Sequence, residues 1–264
     1  MYRLTHSLRN PFRDHKLTGA LMKLHLAILT LDLLATNPAF AADKTTTRPV
    51  IVEYFTSQGC SSCPPADAFL KDDLSKRDDV ISLAYHVDYW DDLGWKDTFS
   101  QHSFTTRQYA YKRALSQKEK DAGRIGVYTP QMVVEGKFAA VGSNRAVVNR
   151  AIDAAQNNLA NVPITITHKN GETHLTISAD EAAATPATLW LVSYVKSAPV
   201  TIKRGENTGR TITYVNIVHD MQALGHWDGH SLSLTLPQLS NNKAYIALLQ
   251  SDHLGPILGV SRVQ

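Results

Sequence analysis

Cysteine is nearly absent from this chain: 264 residues hold only two, Cys60 and Cys63. A bond between residues three apart closes too small a loop to restrict the unfolded chain much, so stapling is a poor reason for the pair to be there. Methionine is scarce too, with four residues, and no Met-rich ligand segment of the kind that suits soft metal ions is present. The apolar run Leu24 to Ala35 falls short of the roughly 20 residues needed to cross a bilayer, and it carries His25 and Asp32. An excess of one charge is also missing once the first stretch is set aside. Five of the 27 Lys and Arg, but only two of the 24 Asp and Glu, fall in residues 1–42, which leaves 22 of each in the remainder. A neutral remainder has no electrostatic footprint for nucleic acid, and that class of partner is not expected. With 43% hydrophobic and 19% charged residues, there is no disorder signature, and the length suits two ordinary cores.

The first 42 residues have the layout of a secretory signal. Met22-Lys23 precedes the apolar run, and Asn37-Pro38-Ala39-Phe40-Ala41-Ala42 ends it with small residues of the A-x-A kind. The expected start of translation is Met22, the expected location is periplasmic or secreted, and no stable membrane anchor should remain after cleavage. Residues 43–48 read as a polar, Thr-rich tether.

Pro49 to Thr56 is a continuous apolar, β-branched run, as expected of a strand buried on both faces. After Ser57-Gln58-Gly59 comes Cys60-Ser61-Ser62-Cys63-Pro64-Pro65, and then a helical stretch with Ala66, Phe69, Leu70 and Leu74 on one face and Asp67 in the first turn. Val80 to Val87 is a second apolar run, completing a βαβ unit with parallel strands. The cysteines therefore stand at a strand-to-helix junction. A thiol there lies near unpaired backbone N–H groups that stabilise its thiolate. Cys60 is the expected nucleophile and Cys63 the resolving thiol, while Pro64 and Pro65 cost little where N–H groups lack partners anyway. Further on, Tyr128-Thr129-Pro130 precedes the strand-like Gln131 to Glu135. Gly136-Lys137 turns into Phe138 to Val141, and Gly142-Ser143-Asn144 caps a helix running to about Leu159.

This β-α-β then β-β-α order, with an X-Pro at a strand entrance, resembles the thioredoxin superfamily. The resemblance implies a cis Thr129-Pro130 bond packed against the CxxC, a backbone ladder for an extended substrate peptide, and, at Glu53, an acid assisting the resolving thiol. There the match is inexact, by one extra residue and a longer side chain. A closer resemblance is to a family of secreted bacterial proteins known only as a domain of unknown function. It is carried by Phe55 to Asp67, Tyr85 to Trp90, Gly94-Trp95, Tyr128 to Gln131, Gly205 to Arg210 and Gly255 to Gly259. The expected fold is an α/β thioredoxin-like domain over 49–160 with a helical insertion at 88–127, followed by a mainly antiparallel, sandwich-like β domain over 161–264.

Within the insertion, His86, Asp88, Tyr89, Trp90, Asp91 and Asp92 stand at the carboxyl end of a parallel strand, the edge where open α/β sheets place ligands. His86, Asp88 and Trp90 are auxiliary site candidates. His86 is read equally as a proton partner for a thiol or as a structural histidine, and the aromatics as packing. Ser103 to Lys120 reads as one amphipathic helix. In the second half, Asn170-Gly171 between alternating runs signals a hairpin, and strand-like runs follow at Thr188–Val195, Thr211–Val218, Ser231–Leu236, Ala244–Leu249 and Ile257–Arg262. His226, Asp228 and His230 read as a turn, not a metal site. The glycine-bracketed Gly205 to Arg210 reads by default as a strand connection, one large enough to cover the CxxC or a partner.

The expected activity is thiol-disulfide exchange through a mixed disulfide, with Cys60, Cys63, Thr129, Pro130 and Glu53 as site residues, no cofactor, and protein or small-molecule thiols and disulfides as partners. The alternatives are copper binding or delivery through the cysteines and His86, and a non-enzymatic binding role for the β half.

Overall fold

The computed structural model describes residues 48–116, 127–180 and 185–263. Val50–Thr56 (β1) and Val80–His86 (β2) form the expected parallel pair, in register from Val50 opposite Val80 to Thr56 opposite His86. Between them runs Pro64–Asp72 (α1), followed by a single 3-10 turn. His102–Ser116 (α2) comes next, then Gln131–Val134 (β3) and Phe138–Val141 (β4), antiparallel to one another, with β3 antiparallel to β1. Arg145–Gln156 (α3) follows, its first turn capped by the Asn144 side chain accepting from the Val147 amide.

The second half contributes Ile164–Lys169 (β5), Glu172–Ile177 (β6), Ala187–Thr201 (β7), Thr211–Trp227 (β8), Leu232–Thr235 (β9), Ala244–Ser251 (β10) and Ile257–Arg262 (β11). The Asn170-Gly171 turn joins β5 to β6 with both residues at positive φ, as a two-residue hairpin requires.

These strands overturn the expected division into an α/β thioredoxin-like domain and a separate sandwich. One eight-stranded mixed sheet, in the order β11-β10-β7-β8-β2-β1-β3-β4, takes strands from both halves, and the other sheet is a small one, β5-β6-β9. The molecule is mostly β, with three α-helices among the described residues. The junction is β8, which runs parallel to β2 through Ala84 and Ile217. It covers an edge of β2 that would otherwise present unpaired N–H and C=O groups. The runs Thr188–Val195 and Thr211–Val218 are parts of much longer strands. Polar residues such as Lys196, Ser197, His219 and Asp220 look like strand ends in sequence, but cross-strand pairing continues on both sides of them, across a register shift at Ser193/Tyr194 that leaves His219 without an opposite residue.

Alternation along β1 sends its side chains to two cores. Val50, Val52 and Tyr54 pack with Ala66, Phe69 and Leu70 of α1 and Val148 and Ile152 of α3. Ile51 and Phe55 face the other way, toward Phe104 and Tyr111 of α2 and Val192, Val218, Ile246 and Leu248 of the second half. A third core joins β7 and β10 to the small sheet around Trp227, Leu175 and Leu249.

Other expectations meet the structure piecemeal. Arg48, placed by sequence in the tether, is buried and forms a two-pronged ion pair with Glu135 at 3.0 and 2.7 Å. The signal segment and residues 117–120 of the expected insertion helix lie outside the described residues. No helix among the described residues is long and apolar enough to cross a membrane. Of the His-Trp-Asp-Gly-His stretch, His226 and Trp227 end β8, while Asp228 accepts from the His230 amide in the following turn.

Candidate redox site

Cys60 and Cys63 are joined as a disulfide, with Cα atoms 5.4 Å apart. Cys63 is the N-cap of α1, already in helical conformation, with Pro64 and Pro65 directly after it. Its carbonyl accepts from the Ala66 and Asp67 amides at 2.8 and 3.0 Å, which fixes the first turn beneath the sulfurs. The helix end offers fewer free N–H groups than the sequence implies: Pro64 and Pro65 have none, and the amides of Cys63, Ala66 and Asp67 bond backbone carbonyls. Both cysteines are fully buried in the disulfide form, whereas Ser61 and Ser62 between them are exposed.

Three segments cover the pair. The Thr129–Pro130 bond is cis. The Ser62 hydroxyl lies 3.3 Å from the Thr129 carbonyl and 3.4 Å from the Cys60 sulfur. A Cβ added at Gly142 would come within 3.4 Å of the Cβ atoms of both Ala66 and Pro130, so glycine there lets the proline corner approach α1. The second segment follows β2. Trp90 donates from Nε1 to Thr129 Oγ1 at 2.9 Å, and its Cβ would lie 3.2 Å from a Cβ at Gly59, so a side chain beside Cys60 would fit only if Trp90 shifted.

The third segment is the tip of the long β7–β8 hairpin. Asn207, buried, donates from Nδ2 to the carbonyls of Gln58 and Cys60, each at 2.9 Å. Glu206, exposed, accepts from the Ser61 amide at 3.3 Å. Gly205, at φ 73°, rests on Trp95. The loop from Gly205 to Arg210 is thus a cover contributed by the second half.

Below the pair lies a web of buried polar groups. His86 Nδ1 is 2.7 Å from Asp97 Oδ2, which also accepts from the Gln58 amide at 2.7 Å, while Asp97 Oδ1 accepts from the Phe99 amide at 2.8 Å. Desolvation pushes the Asp97 carboxyl up, but the charge and hydrogen bond of His86 and the two amides outweigh it, and the group is held below its ordinary value. Asp67, also buried, accepts from the Tyr54 hydroxyl at 2.8 Å and the Thr56 hydroxyl at 3.0 Å. Burial pushes its carboxyl up to about 6, against the opposing pull of those hydroxyls and of His86.

Of the residues singled out by sequence, Cys60, Cys63, Thr129, Pro130 and Trp90 come together, and His86 joins them through Asp97 and Gln58. Glu53 and Asp88 do not. Glu53 points to the opposite face of the sheet, where Arg107 donates to it at 2.9 Å and Tyr111 also bonds it, so it is not the acid beside the resolving thiol. Asp88 holds the start of α2 by accepting from Thr105 and pairing with His102 at 3.0 Å. Sequence reasoning missed Asp67 and Asp97 as site residues, and it reached Asn207 only as part of the Gly205 to Arg210 loop. For Asp67 a signal existed: positions 63, 67, 70 and 74 lie on one helical face that is otherwise apolar, an unusual place for an acid.

The family described as "protein of unknown function (DUF1223)" matches residues 51–250. The chain belongs to that family. Among solved structures, it is similar to the crystal structure of protein AGR_C_4864 from Agrobacterium tumefaciens, at 33% identity and TM-score 0.68, covering 82% of this chain and 94% of the other. A second likeness, to HBP35 of Porphyromonas gingivalis, has 16% identity and TM-score 0.54 over 82% of this chain and 74% of the other, and concerns the fold alone. No curated protein matches.

Proposed function

We propose that this protein is a periplasmic or secreted thiol-disulfide oxidoreductase. The observation that carries the reading is the placement of its two cysteines, bonded to each other at the N-terminus of α1 and covered by segments from both halves of the chain. A bond that adds little as a staple has been given a helix end, a proline corner and a fitted cover. In the reaction, the Cys60 thiolate attacks a substrate disulfide, forming a Cys60–substrate bond as the other substrate sulfur leaves as a thiolate. Cys63 then attacks the Cys60 sulfur and releases the second thiolate, so the protein dithiol is oxidised while the substrate disulfide is reduced. The reverse sequence oxidises a substrate dithiol.

The test removes the resolver. Cys63→Ala, expressed in the cell envelope, is expected to accumulate covalent adducts that disappear on reduction, while Cys60→Ala accumulates none. If Cys63→Ala gives no adducts under conditions where a trapping variant of an envelope oxidoreductase does, the reading fails.

A further inference from the structure

Six buried polar atoms lack a hydrogen-bond partner among the described residues, and three of them belong to one cluster: Asp67 Oδ2, His86 Nε2 and the Tyr214 hydroxyl. Buried polar groups in folded proteins are mostly paired, so three orphans in one place need a reason. They come from three elements, α1, β2 and β8. The His86 and Tyr214 rings sit 5.0 Å apart, and Asp67 is close enough to both to act on them electrostatically. Asp67 follows Cys63 by four positions on a helix already formed at Cys63, so the two side chains lie on one face a turn apart, and both are buried. The Tyr54 hydroxyl spans the same turn, 3.4 Å from the Cys63 carbonyl and 2.8 Å from Asp67 Oδ1.

We propose that Asp67 is the proton acceptor for the Cys63 thiol, a role that rests on the oxidoreductase reading. Its Oδ1 is held by Tyr54 and Thr56 from β1, which leaves Oδ2 as the bare oxygen. In the resolving step the Cys63 S–H proton passes to Asp67. The Cys63 thiolate attacks Cys60, the Cys60–Cys63 bond forms, and the Cys60–substrate bond breaks with the substrate sulfur leaving as a thiolate. In the reverse direction Asp67 returns the proton. A carboxyl near 6 suits both directions at neutral pH, since a base works best when its affinity for the proton lies near the working pH. The other titratable groups facing it are Tyr54 on β1, His86 on β2, Asp97 in the following loop and Tyr214 on β8. His86 bonds Asp97 through Nδ1 and leaves Nε2 unpartnered in the cluster.

The test uses the reduced full chain and dithiobis(nitrobenzoate). Attack by Cys60 releases one thionitrobenzoate, and attack by Cys63 on the resulting mixed disulfide releases a second, so the two steps appear as separate absorbance phases. In the wild type the second phase is expected to slow as pH falls through about 6. Asp67→Asn should leave the first phase near its wild-type rate and slow the second by about 100-fold at pH 7, the lower end of what a positioned base contributes, with the break near 6 abolished. Tyr54→Phe removes a hydrogen bond to the carboxylate and should move that break to higher pH. An Asp67→Asn protein whose second phase keeps the wild-type rate and pH profile overturns the inference and leaves the oxidoreductase reading standing. A wild type with no second phase overturns both.

Discussion

Two buried ionisable assemblies lie on opposite faces of β1, and they are built on opposite principles. On the α2 face, Glu53 accepts from Arg107 and Tyr111. Arg107 also donates to Gln250 Oε1 at 2.7 Å, and Gln250 Nε2 donates to the Tyr111 hydroxyl at 2.8 Å. Opposite charges meet, and none of these side chains has an unpartnered buried polar atom among the described residues. On the α1 face, Asp67 has hydroxyls but no cation bonded to it, and it shares its surroundings with two other orphaned polar atoms. The first arrangement locks the two halves of the chain together. The second leaves a proton site open beside the cysteines. Burial and charge alone therefore do not mark a functional group here; what marks it is incomplete pairing next to a reactive bond.

The contrast between the two faces breaks most severely at Arg107. Arg107→Met strands the Glu53 carboxylate in the core and should cost about 3–5 kcal/mol in urea unfolding of the oxidised protein at pH 7. A loss below about 1 kcal/mol would mean that the assembly is not the lock described.

Asp67→Asn should act with the opposite sign. The folded-state carboxyl lies near 6, above its ordinary 3.8, so its stabilising contribution is complete below that ordinary value and is lost as pH rises through 6. Above pH 6 the wild type bears the cost of a buried, cation-free carboxylate, about 3 kcal/mol for a carboxyl raised from 3.8 to about 6. The Asn variant should be more stable than wild type by up to that amount at pH 8 and equal to it near pH 4. Unfolding curves at the two pH values check this, and a variant destabilised at pH 8 would show that the carboxylate is a structural anchor after all.

Asn207→Ala concerns the cover and has a smaller effect. It leaves the Gln58 and Cys60 carbonyls without their shared donor, at a cost of about 1–2 kcal/mol, since an orphaned buried acceptor loses its pairing. The loosened loop should also let dithiothreitol reduce the disulfide several-fold faster, on the order of the same free energy expressed as a rate. An unchanged reduction rate would separate the loop from access to the sulfurs.

Local signals in the sequence were good guides wherever the cause was local. The CxxC at a strand-to-helix junction, the Asn170-Gly171 hairpin and the Asn144 cap each depend on a few neighbouring residues, and each is present. Apart from the Gly205 to Arg210 loop as a cover for the CxxC, what the second half does to the first could not be read. The pairing of Ala84 with Ile217 joins segments 133 residues apart in one sheet, and nothing in either run distinguishes a private core from a shared one. Tyr214 and Asn207 reach the site only because that pairing aims the β7–β8 hairpin at it. Glu53 was misplaced by the period of the strand: its neighbour Tyr54 faces α1, so Glu53 must face α2.

The proposed chemistry depends on an asymmetry between the two thiols, with Cys60 the more acidic one that attacks and Cys63 kept protonated beside Asp67. A brief iodoacetamide pulse on the reduced protein at pH 6, read by peptide mass spectrometry, measures it directly. The expected result is carbamidomethyl modification of Cys60 with Cys63 spared by about tenfold or more, as follows for thiols whose acidities differ by at least a factor of about ten. Equal and slow modification of both residues would contradict it.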